Sequence, residues 1–123
     1  SFPAIVHPRA ILSDPSSINI GAGTIITAGC ILTTAISIGE HVLLNLNTTI
    51  GHDSIIQDFT SVMPGVNIAG SVHIGEGVLI GSGANIKNRV HIGKHARIGM
   101  GAVVLRAVGD HTTVAGVPAK LLP

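Results

Sequence analysis

The chain has 123 residues, a length that fits one domain, with a formal net charge of +1 and only two aromatic residues, Phe2 and Phe59. That balance gives no electrostatic basis for binding nucleic acid or an anionic membrane, since there is no basic run and no aromatic interleaving. Apolar residues make up 46%, but Gly and polar residues break them up too often for a membrane span.

The opening stretch, residues 1–19, carries no signal-peptide pattern. Its "SDPSS" between Leu12 and Ile18 interrupts any regular spacing, so it reads as an N-terminal cap built on an irregular first coil. The single cysteine, Cys30, excludes an internal disulfide framework and fits a reducing, cytoplasmic setting.

From Ile20 the chain becomes periodic. Stepping by six gives Ile20, Ile26, Leu32, Ile38, Leu44, Ile50, Ile56 and onward to Val104 without insertion, every position aliphatic. Two residues earlier in each hexad stands a small or β-branched residue, such as Thr24, Cys30, Thr48, Ser54 or Ala84, and Gly often follows the aliphatic position. A helix cannot carry this pattern, because six residues do not return to one face at 3.6 per turn. Short strands can, since residues two apart point to the same side of a strand. Gly-rich links then turn the corners. Three such hexad sides close a triangular coil, and about five coils fit between residues 20 and 104. Parallel strands stacked about 4.8 Å apart would enclose a column of aliphatic side chains. The fold class is therefore an all-β hexapeptide solenoid. Residues 105–123 leave the repeat and are expected to cap the far end. Cys30 points inward in this scheme, as a buried small residue and not a nucleophile.

Within this frame "NTTIGHDSIIQDF" places His52 beside Asp53 at a corner, where folding requires no imidazole. Of the seven histidines, His73 and His91 occupy outward positions one coil apart, and His41 and His95 share another corner position. These four read as solvated or subunit-interface residues. One coil beyond His52 stands Gly70, which leaves room for a reactant and can offer an unhindered N–H. A base and a donor facing one carbonyl make the minimal acyl-transfer site.

The hexad array, the ending "VAGVPAK" (residues 114–120), the opening "HPRA" and the middle segment "GHDSIIQDFTSVMPGVNIAGSVHIGEGVLIGSGA" resemble the left-handed β-helix acyltransferases. More narrowly they resemble the sialic acid O-acetyltransferase and bacillosamine N-acetyltransferase group. The resemblance covers nearly the whole chain. It implies a left-handed helix and acetyl-CoA as co-substrate, with no metal. It implies a sugar or nucleotide-sugar acceptor for bacterial surface glycans, and a homotrimer with sites between subunits. It further implies His52 as general base with Asp53 orienting it, and the Gly70 N–H as oxyanion donor. Contacts to CoA are implied from the corner holding Pro64, Ser82 and Met100, and from Lys120 in the terminal cap. Some members carry a second histidine nine residues after the first, against the thioester; that position is Ser61 here. The family's usual nucleotide-sugar-binding first half is missing, so either an isolated catalytic domain or a protein that naturally lacks that half is expected, with "SFPAIVHPRA" at the junction.

Two rivals stand beside this reading. A γ-class carbonic anhydrase uses the same fold but needs three histidines converging on zinc, and the ligand spacing is not met. The other is a non-catalytic β-helix, such as a scaffold or an ice-binding protein; ice binding would need a regular threonine array on one flank, which Thr24, Thr27, Thr33, Thr34, Thr48 and Thr49 do not form.

Overall fold

The computed structural model describes residues 2–123; Ser1, the first residue of the expected N-terminal cap, lies outside the described residues. The chain is a parallel β-helix of three sheets, with two-residue strands separated by turns. The first sheet holds strands such as Ile25–Ile26, Leu43–Leu44, Ser61–Val62, Leu79–Ile80 and Arg97–Ile98. The second includes Ile31–Leu32, Thr49–Ile50, Asn67–Ile68 and Asn85–Ile86. The third includes Ser37–Ile38, Ile55–Ile56, His73–Ile74 and His91–Ile92. Within each of these sets neighbouring strands lie three hexads apart, as the repeat requires.

The second residue of each regular strand faces inward. Ile26, Leu32, Leu44, Ile50, Ile56, Ile74, Ile80 and Ile92 are all essentially inaccessible, and so is Cys30. The small residues two positions earlier are equally buried. Where they carry hydroxyls, those hydroxyls are used between coils. Thr24 Oγ1 donates to Gly39 O at 2.7 Å and accepts from Val42 N at 3.0 Å, and Thr60 Oγ1 donates to Gly75 O at 2.9 Å. A polar atom inside the column would otherwise be costly.

The irregular opening turns out to be a coil in its own right. Ile5–Val6 pairs with Ile25–Ile26 and Ile11–Leu12 with Ile31–Leu32, in both cases across a step longer than the regular coil. The extra length is absorbed by a short 3-10 turn at Pro15–Ser17. At the other end Thr113–Ala115 pairs with Arg97–Ile98 across a step shorter than the regular coil, and Lys120–Leu121 folds back antiparallel onto it. The stack is thus about six turns high, the five regular coils expected standing on the irregular first one, because "SDPSS" lengthens a coil without ending the ladder.

Candidate active site

His52 and Asp53 sit on the corner between the second and third sheets, just after Thr49–Ile50 and before Ile55–Ile56. Asp53 adopts the left-handed region with φ 61°. Asp tolerates that conformation better than most residues because its short side chain can bond locally. Its carboxylate curls back onto the preceding ring, and His52 Nδ1 lies 2.9 Å from Asp53 Oδ2. A carboxylate can only accept, so in the neutral ring this bond puts the proton on Nδ1 and leaves a lone pair on Nε2. Both side chains are 63% exposed. Water screens such a pair, so its chief effect is orientation and not stability.

Nε2 points toward the next coil. There the register places Gly70 over His52, and Ser71 N donates to His52 O at 2.7 Å. A Cβ built on Gly70 would fall 2.5 Å from His52 Nε2 and 2.7 Å from Cε1, so only glycine lets the ring lie where it does. Ala69 N and Ser71 N both make coil-to-coil hydrogen bonds; the Gly70 N–H between them makes none of these.

The sequence marks Ser54 only as a small inward residue. Its hydroxyl donates to Ala69 O at 2.9 Å and accepts from Val72 N at 3.2 Å, bracketing Gly70 from beneath. The only available signal is a hydroxyl, in place of a methyl, one residue past the His-Asp pair.

The other residues singled out from sequence lie elsewhere on the prism. Ser82 and Met100 stand on the corner between the first and second sheets, both exposed, with Met100 at 80%. Ser61 lies in the first sheet between Leu43 and Leu79, on the side opposite the His52 corner. Lys120 is exposed at the C-terminal end, where with Arg106 it lines an open cavity of about 570 Å³ under the terminal hairpin. Within one chain, then, only His52, Asp53 and Gly70 come together. His73 also differs from expectation. It is partly buried, its Nε2 is inaccessible and unpartnered, and burial followed by the charge of His91 lowers its pKa below 6.5. Among the described residues no three His, Cys, Asp or Glu side chains gather as a metal centre, and no helix is long and apolar enough to cross a membrane.

The family model of the bacterial transferase hexapeptide (six repeats) matches residues 53–88 and 71–106, a span that opens at Asp53 and takes in Gly70. Residues 53–106 carry the bacterial-transferase hexapeptide repeat. Over its full length this hexapeptide-repeat protein superposes on a mutant of perosamine N-acetyltransferase from Caulobacter crescentus, solved with CoA and GDP-perosamine. The TM-score is 0.96 at 30% identity, covering 58% of that chain. The acetyltransferase domain of PglB from Neisseria gonorrhoeae, in complex with acetyl coenzyme A, matches with a TM-score of 0.95 at 33% identity. That match covers 98% of the present chain and 58% of the other. These neighbours share the left-handed β-helix. Among curated proteins, a serine acetyltransferase of Buchnera aphidicola is 31% identical over 124 residues, covering 98% of this chain and 41% of its own length. The hexapeptide-repeat protein thus spans less than two thirds of each of these relatives.

Proposed function

We propose that the protein is an acetyltransferase that moves the acetyl group of acetyl-CoA to an amine or hydroxyl of a sugar or nucleotide-linked sugar. The observation that carries this reading is the His52 ring, held by Asp53 on one nitrogen and presenting the other over Gly70. His52 Nε2 takes the proton of the acceptor N–H or O–H as the acceptor attacks the thioester carbonyl. The Gly70 N–H stabilises the tetrahedral oxyanion. As the C–S bond breaks, the imidazolium returns the proton to the departing CoA sulfur. Asp53 fixes the ring tautomer and supports the imidazolium.

The neighbours solved with CoA, acetyl-CoA and GDP-perosamine support the donor and the acceptor class. A homotrimer completes the site by setting the Ser82–Met100 corner of one chain beside the His52 corner of the next. The CoA arm then passes Ser61 and its phosphates meet Lys120. The setting is cytoplasmic and the product a bacterial surface-glycan precursor.

The test is release of CoA with a panel of amino sugars, nucleotide sugars, sialic acids and L-serine. A sugar acceptor is expected, and His52→Ala should lower its turnover by at least ~10²-fold, the lower range for loss of a general base. Near-normal turnover in that variant would remove His52 from the mechanism. Preference for L-serine would replace the sugar with the acceptor named for the curated relatives. Activity should survive EDTA, since no step uses a metal.

A further inference from the structure

The third sheet begins at the His52 corner, and two of its outward residues are His73 and His91. They are directly paired on adjacent parallel strands. Their ring centroids lie 4.5 Å apart, with the planes inclined at 37°. On its other side His73 is paired with Ile55, an apolar neighbour that offers no hydrogen bond. Between these two neighbours His73 Nε2 is inaccessible and has no hydrogen-bond partner.

An imidazole nitrogen withdrawn from water and left unpaired is unusual and calls for an explanation. Of its two cross-strand neighbours only His91 carries a polar side chain, whereas a buried water typically makes about three hydrogen bonds. A metal ion that completes its shell with water from the open side satisfies the nitrogens of both paired rings at once. His91 is exposed and provides that side. The terminal ring torsion of histidine is broad, so the two rings can turn toward a common point at little cost.

We propose that His73 and His91 form a two-imidazole site for a borderline divalent ion of the zinc, nickel or copper class. It lies on the flank next to the catalytic corner and takes no part in acetyl transfer. The second stacked pair, His95 and His111 at 5.1 Å, has no buried unpartnered nitrogen and serves as the internal comparison.

The experiment is titration of the full chain with Cu²⁺, read by isothermal calorimetry and by electron paramagnetic resonance. Wild type should take up one ion per chain, with a spectrum showing two imidazole nitrogens. His91→Ala, on an exposed position that leaves the core untouched, should lose this uptake or fall to a one-nitrogen spectrum. His111→Ala should keep it. Unchanged stoichiometry and spectrum in His91→Ala would overturn the proposal, as would loss of the two-nitrogen signal in His111→Ala. His73→Gln gives a second check: if it folds, as judged by circular dichroism, it too must lose the two-nitrogen signal. Binding of the metal alone is the readout, so the result stands apart from whether the chain acetylates sugars.

Discussion

Gly70 is the only residue type that lets the His52 ring occupy its place, because any Cβ there would come within 2.5 Å of Nε2. Gly70→Ala keeps the backbone N–H and meets only a side chain that can swing away, so the fold should survive. The ring, however, loses its position over the donor. Turnover is expected to drop about 10²-fold, comparable with removal of the base itself, while circular dichroism and melting stay close to wild type. A Gly70→Ala enzyme with full activity would show that the ring works from elsewhere. Asp53→Asn, which keeps the size but loses the charge, should cost less than His52→Ala.

Ser54→Ala strips the hydroxyl that joins Ala69 O and Val72 N on either side of Gly70. Leaving those buried groups unpaired should cost about 1–3 kcal/mol of stability. It should also lower kcat by loosening the donor. Ser54→Thr should restore both, since Thr24 and Thr60 make the same bridges in their own coils. Thermal melts and kcat for the pair of variants decide this.

The first sheet presents Ile25, Leu43 and Leu79 outward, with Ser61 between the two leucines. Exposed apolar rows of this kind usually mark an interface. Light scattering should report a trimer for wild type and smaller species for Leu43→Glu/Leu79→Glu, with activity lost alongside assembly. A trimeric double variant would place these side chains outside the interface.

The His73 pKa is held below 6.5 in the folded chain, first by burial and then by His91. The unfolded chain therefore binds this proton more readily, and stability falls as pH drops through 6.5 toward the folded value. At higher pH the contribution is constant. Chemical denaturation on the two sides of that value should show an acid loss, smaller in His91→Ala, where the like-charge contribution is gone.

The hexad count places the strands, the buried column and the His52–Gly70 register, because a period of six is a property of the backbone and shows directly in side-chain order. It fails where spacing changes without pairing being lost. Ile5 and Ile11 hydrogen-bond to the next coil, yet the extra length near Pro15 conceals this in a step-by-six reading. Ser54 and His73 escape for another reason. Their roles depend on which groups stack above and below them on neighbouring coils. At those positions a methyl and a hydroxyl, or a solvated and a shielded imidazole, obey the same period.

The unbroken coil-to-coil step from Ile25 to Arg97 turns distance along the chain into height. One whole coil inserted above Gly70 would raise the C-terminal hairpin by about 4.8 Å and leave the His52 corner as it is. The same insertion between residues 54 and 69 would put a different residue over the His52 ring. Gene duplication of complete coils above Gly70 therefore leaves the pairing of His52 with Gly70 intact, while it changes the height at which the Ser82–Met100 corner and Lys120 stand.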